Sequence, residues 1–206
     1  TLLDQQVALV PGAEDDRDAA AHDVEAAAIG PDDALIGIAA SGVTPYTREA
    51  VRRARERGAF TVAIANNPGA PLLGDADVGV LLDTGPEVLT GSTRMAAGTA
   101  QKAALNALST CVLVRSGGAY ENLMVGMRPV NDKLRARAAR IVREPTARAA
   151  LVACDDRIRD AIVVVRTGIA PADARQRLAA ARERVRDVLR EAGVDDPSSD
   201  PGGGPR

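Results

Sequence analysis

From residue 34 onward, apolar runs alternate with amphipathic stretches. ALIGIAAS (34–41), FTVAIANN (60–67) and VGVLLDT (78–84) are continuous apolar runs closed by polar or glycine-containing segments. That pattern predicts strands of a parallel sheet covered on both faces. The amphipathic stretch between the first two runs has Pro45 near its first turn and Gly58 just past its end, the asymmetry that marks the two ends of a helix. An NPGAP turn separates the second and third runs. The predicted order is strand, helix, strand, turn, strand, loop, helix. Ligands of such sheets collect outside the carboxyl ends of the strands. Three polar clusters fall there: Ser41-Gly42-Val43-Thr44, Asn66-Asn67, and the stretch from Gly85 through Glu87 to Thr93.

The segment TGSTRMAAGTAQKAALNALSTCVLVR (90–115) predicts a hydroxyl-rich loop feeding a long apolar helix. The Ser92 and Thr93 hydroxyls and the first free N–H groups of that helix can converge on one anion, with Arg94 and Lys102 adding positive charge. Taken by itself, a Ser-Thr pair is more commonly an ordinary helix cap. Ser41 and Thr44, flanking Gly42 before the preceding helix, repeat the arrangement. Two such loops on one sheet edge argue for a phosphorylated ligand. Neither is a Walker A loop and no GxGxxG follows a strand, which disfavours a nucleotide.

Residues 1–29 read as helix interrupted at Pro11-Gly12, and Glu14, Asp15, Asp16 and Asp18 suit a helix's positively polarised first turn. Residues 145–192 read as short amphipathic helices, with Leu151, Val152, Ile158, Ile162, Val163, Leu178, Val185, Val188 and Leu189 as their core positions. The glycine- and proline-rich tail reads as disordered.

Composition narrows the function. The 206 residues carry 26 basic and 28 acidic side chains and only three aromatics, Tyr46, Phe60 and Tyr120. Without a basic stripe interleaved with aromatics, a nucleic-acid surface is not expected. No apolar run approaches the roughly 18 residues of a membrane span, and the N-terminus lacks a charged-then-apolar signal pattern. Cys111 and Cys154 lie in apolar helical runs and read as buried thiols of a reducing cytoplasm. The single histidine, His22, has no companions for a metal site and reads as solvated.

AASGVTPYT, NNPG, GSTRMAAGTAQK and ALNALSTCVLVRSGGAYENLMVGM, in this order, resemble the sugar isomerase (SIS) domain of the N-acetylmuramic acid 6-phosphate etherases. PGAEDD resembles that family's GAED motif, and the terminal helices are similar to its small helical C-terminal domain. The resemblance covers about residues 1–190. It implies an α/β fold, a SIS-type doubly wound parallel sheet with a small helical C-terminal domain. Residues 1–142 would form the sugar-phosphate domain, 143–192 the helical domain and 193–206 the tail.

The implied reaction is cleavage of the lactyl ether of N-acetylmuramic acid 6-phosphate to N-acetylglucosamine 6-phosphate and D-lactate, without metal or organic cofactor, in a cytoplasmic homodimer. Ring opening makes C2–H acidic beside the C1 aldehyde, and lactate at C3 is then a β leaving group. One carboxylate takes the C2 proton and a second acid serves the departing oxygen. By resemblance Glu14 is the C2 base. Ser41, Gly42 and Thr44 match the phosphate loop, Glu87, Ser92 and Thr93 match the sugar site, and Lys102 matches the signature helix. The alternative is a sugar-phosphate-binding SIS module without catalysis, or an inactive fragment.

The sequence departs from the family pattern in several places. The family's segment upstream of the GAED motif, with a second catalytic glutamate, is absent, so the chain resembles the C-terminal two-thirds of an etherase. A sheet without its first strand is expected to expose an apolar edge and face. Ala96 replaces a usual Lys, Val43 a frequent Arg, and Pro11 a usual Glu.

Overall fold

The structure, a computed structural model, describes residues 12–143 and 145–194. The chain divides into two compact units, one ending at Asn106 and the other beginning at Ala107. The helix expected over the first ten residues and nearly all of the expected tail lie outside the described residues.

The first unit opens with a 3₁₀ turn, Ala13–Asp15, followed by α1 (Arg17–Ala26), whose first turn is capped by the Asp16 carboxylate accepting from Ala19 N at 2.9 Å. Then come β1 (Ala34–Ile38), α2 (Pro45–Glu56), β2 (Phe60–Ala65), α3 (Leu72–Asp75) and β3 (Val78–Leu81). The three strands form a parallel sheet in the order β1-β2-β3, with Ile36 opposite Val62 and Val62 opposite Val78. Pro45 opens α2, and Gly58, at φ +88°, ends it in the left-handed conformation that favours glycine.

Side-chain size differs between the two faces of this sheet. One face carries Leu35, Gly37, Thr61, Ala63 and Gly79, and its small residues let helices approach closely. A Cβ on Gly37 would lie 2.3 Å from Val51 Cγ2 of α2, and one on Gly79 would lie 2.6 Å from the Leu73 carbonyl of α3. Val51, Ala63 and Leu72 form the core there, and a bidentate Arg48–Asp75 pair at 2.6 and 3.3 Å ties α2 to α3. The opposite face carries the larger Ile36, Phe60 and Val78, which are exposed. The expected covering of both faces is thus incomplete among the described residues.

Next comes α4 (Ala96–Arg115), the helix expected to follow the hydroxyl loop. Only Ala97 is buried along it, while Leu108, Val112, Leu113 and Val114 are exposed. Cys111 is exposed too, contrary to the expectation of a buried thiol, because this part of the helix has no apolar cover in the described chain.

The second unit continues with a hairpin of β4 (Ala119–Tyr120) and β5 (Leu123–Met124) and with α5 (Asp132–Val142). It ends in α6 (Ala147–Ala153), α7 (Ile158–Thr167), α8 (Pro171–Ala180) and α9 (Val185–Glu191). Ile158, Ile162, Val163, Leu178, Val185, Val188, Leu189 and Cys154 fill one core. Val152, expected in it, is 77% exposed.

The last four helices form two copies of one corner. Asp156 N donates to Leu151 O at 2.8 Å, and Glu183 N donates to Leu178 O at 2.7 Å. Asp155 and Asp156 in the first copy, and Arg182 and Glu183 in the second, all have positive φ. An extended Arg, Arg157 or Arg184, then begins the next helix, and its Nε lies 2.8 Å from a carboxylate three residues on, Asp160 or Asp187.

Candidate active site

The site lies at the carboxyl edge of the parallel strands, and its first wall is the loop between β1 and α2. Gly42 is buried with φ +68°, and a Cβ there would lie 2.4 Å from Ala70 Cβ and 3.1 Å from Ala65 Cβ. Its carbonyl accepts from Leu72 N at 3.1 Å, so the loop is fastened to the turn after β2. Ser41 Oγ accepts from Val43 N at 3.3 Å, which leaves the hydroxyl proton available to donate. Thr44 occupies the N-cap of α2 but makes no side-chain cap bond. The half-buried Ser41 and Thr44 hydroxyls and the uncapped N-terminus of a twelve-residue helix are therefore held by one loop. Such a group of donors suits an oxyanion.

The second wall is arranged differently from the expectation. α4 begins at Ala96, beyond Thr93. Its first N–H groups are held by Glu87, whose carboxylate accepts from Ala96 N at 3.0 Å and from Ala97 N at 3.1 Å. These bonds hold the Glu87 carboxyl below its ordinary range, the Ala96 bond contributing most. A carboxylate of the chain thus occupies the anion position that the sequence assigned to a ligand at this helix. Ser92 and Thr93 lie in the preceding loop and make no side-chain hydrogen bond among the described residues, and Lys102 is exposed on α4.

Between the two walls, Asn66 at the end of β2 is buried. Its amide donates to Leu82 O at 3.0 Å, and its carbonyl accepts from Gln101 Nε2 at 2.8 Å. Gln101 was not among the candidates. Its position within the GTAQK stretch, one turn into the helix, was the available signal.

Glu14 lies in the exposed 3₁₀ turn, beside α2, and no hydrogen bond or ion pair joins it to the other candidates among the described residues. The structure brings Ser41, Gly42 and Thr44 together in one loop, and Glu87 together with the start of α4. Nearby, Tyr46 Oη donates to Asp23 Oδ2 at 2.6 Å and fastens α1 to the first turn of α2. That bond, with burial and the Asp23 charge, raises the phenol to about 12.

Known proteins of one description are similar to this chain. The SIS domain family matches residues 14–110. An N-acetylmuramic acid 6-phosphate etherase of Deinococcus radiodurans is 52% identical over 188 residues, covering 88% of this chain and 62% of the relative. The chain is similar to that etherase over most of its own length. Etherases of the same description from Rubrobacter xylanophilus and Mycolicibacterium smegmatis are 50% and 44% identical, over 84% and 89% of this chain. The chain spans 60% and 63% of their lengths, so less than two-thirds of each of these three etherases is represented. Among the described residues no helix is long and apolar enough to cross a membrane.

Proposed function

We propose that the chain carries the sugar-phosphate site of an N-acetylmuramic acid 6-phosphate etherase and cleaves the D-lactyl ether of that substrate. The observation that carries this reading is the Ser41-Gly42-Val43-Thr44 loop, where two hydroxyls and an uncapped helix N-terminus share the carboxyl edge of a parallel sheet. The 6-phosphate sits on this loop. The open-chain sugar then extends toward Glu87, Ser92 and Thr93, with Lys102 contributing long-range positive charge.

In this reading Glu14 removes the C2 proton, which the adjacent C1 aldehyde makes acidic. The electron pair moves into a C2–C3 double bond as the C3–O bond breaks, and lactate leaves with a proton from a second acid. Water adds to the double bond, giving N-acetylglucosamine 6-phosphate. Glu87, ionised by its bonds to α4, accepts a sugar hydroxyl rather than acting as that acid. No organic cofactor takes part in these steps. Residues 1–142 serve the sugar phosphate and 143–192 form the helical appendage, in a cytoplasmic homodimer. Exposed Ile36, Phe60 and Val78 support association with further polypeptide.

Incubation with N-acetylmuramic acid 6-phosphate tests the reading. Equal amounts of D-lactate and N-acetylglucosamine 6-phosphate are expected. A folded chain that binds N-acetylglucosamine 6-phosphate but releases no lactate is instead the non-catalytic SIS binding module.

A further inference from the structure

In the second unit, the start of α7 borders a cavity of about 220 Å³ that the proposed etherase site does not use. Val125, Met127 and Arg128, after β5, and Arg157, Arg159 and Asp160 contribute to its wall. Asp160 is fully buried. Its Oδ2 accepts from Arg157 Nε at 2.8 Å and Arg175 Nε at 3.1 Å, while its Oδ1 has no hydrogen-bond partner. Arg159 Nη1 donates to Glu183 Oε2 at 2.6 Å, but the buried Nε of the same guanidinium also has no partner. Arg157, the N-cap of α7, makes no side-chain cap bond, so the first N–H groups of the helix add further donors.

The charges around the cavity do not balance. Arg157, Arg159 and Arg175 are matched by Asp155, Asp160 and Glu183, to which they are bonded. Arg128, exposed at the wall, forms no ion pair with any described residue. The residues of the cavity wall therefore include an occluded acceptor lacking a donor, an occluded donor lacking an acceptor, and one unmatched positive charge. Buried polar atoms normally find partners. The repeated corner supplies a comparison: Asp187, the counterpart of Asp160, is 32% exposed and pairs with Arg184 at 2.8 Å. An ion pair that merely holds the corner can take that solvated form.

We propose that this cavity binds a small monoanionic α-hydroxy carboxylate. The carboxylate accepts from Arg128 and Arg159 Nε, the hydroxyl donates to Asp160 Oδ1, and the short carbon chain rests on Val125 and Met127. One unmatched charge selects a monoanion over a phosphate dianion. The proposal rests on this cavity alone and does not depend on the etherase reading. D-lactate is the first probe because it is the leaving group in that reading.

The test is calorimetric titration of the whole chain with D-lactate, with propionate, which lacks the hydroxyl, and with lactamide, which lacks the charge. Saturable D-lactate binding is expected, with both analogues weaker by about tenfold or more, the worth of one charge-assisted hydrogen bond. Arg128→Gln, at an exposed position, should weaken D-lactate by about tenfold, and Glu14→Gln should leave it unchanged. Asp160→Asn, if it folds by circular dichroism, should erase the preference for D-lactate over propionate. Absence of saturable D-lactate binding overturns the proposal, meaning that water alone fills the cavity. Equal affinity for D-lactate and propionate, no effect of Arg128→Gln, or loss of binding on Glu14→Gln also overturns it.

Discussion

Glu87 and Ala96, nine residues apart, are joined by a carboxylate accepting from the first N–H of α4 at 3.0 Å. The bond fixes the end of the loop containing Ser92 and Thr93 and places a negative charge at the positive end of the helix dipole. It also depresses the Glu87 pKa in the folded state. A depressed carboxylate contributes stability above its unfolded pKa and loses that contribution as pH falls through the folded value. The contribution is therefore complete above about pH 4.5, the ordinary glutamate value, and declines below it. Glu87→Gln should lower the melting temperature at pH 7, with the difference from the parent shrinking in acid. A constant difference from pH 7 to pH 2 contradicts the charged cap.

Tyr46 gives the opposite sign. Its pKa is raised to about 12 from 10.0, so its contribution to stability is complete below pH 10 and is lost as pH rises toward 12. Ultraviolet difference titration should show a late tyrosinate transition that disappears in Tyr46→Phe. Retention of that transition in the variant places it elsewhere.

Gly42 is held in a left-handed turn against Ala70 and Ala65. Gly42→Ala combines unfavourable φ with overpacking and should destabilise the chain by about 2–4 kcal/mol, measured by urea unfolding. Loss of N-acetylglucosamine 6-phosphate binding should accompany it, because Ser41 and Thr44 are placed by this turn. A stability change within about 0.5 kcal/mol, the range of an ordinary surface substitution, contradicts the close approach.

Ser41→Ala removes one hydroxyl donor from the phosphate loop. Binding of N-acetylglucosamine 6-phosphate should weaken by about tenfold or more, as for a hydrogen bond to a charged group. Binding of N-acetylglucosamine should not change. Equal weakening of both sugars removes the phosphate assignment.

The strands and α2 were legible because the signals that set them are local. Pro45 and Gly58 bound α2 in the structure as they do in the sequence, and the three apolar runs became β1 to β3. The start of α4 was not legible, since its cap comes from Glu87 and not from the adjacent Ser92-Thr93 pair. The β4–β5 hairpin has two residues in each strand, too few to show a period. The two helical corners turn on Asp155-Asp156 and Arg182-Glu183, so no glycine announces their positive φ. Cys111 and Val152 have core-like residue types and helical spacing, but their exposure depends on what packs beside their helices. At the site, the Ser41-Gly42-Thr44 loop was legible from its place after a strand. The Gln101–Asn66 bond joins residues distant in sequence, so the place of Gln101 in the GTAQK stretch marked the residue but not its partner.

Proton abstraction by Glu14 is tested most directly by incubating N-acetylglucosamine 6-phosphate with the chain in D₂O and following deuterium incorporation at C2 by NMR. This step requires the phosphate loop and the C2 base but no leaving group. The parent chain is predicted to exchange the C2 proton, and Glu14→Gln to bind the sugar phosphate comparably without exchange. Exchange that persists in Glu14→Gln, or its absence in the folded parent chain, contradicts the assignment.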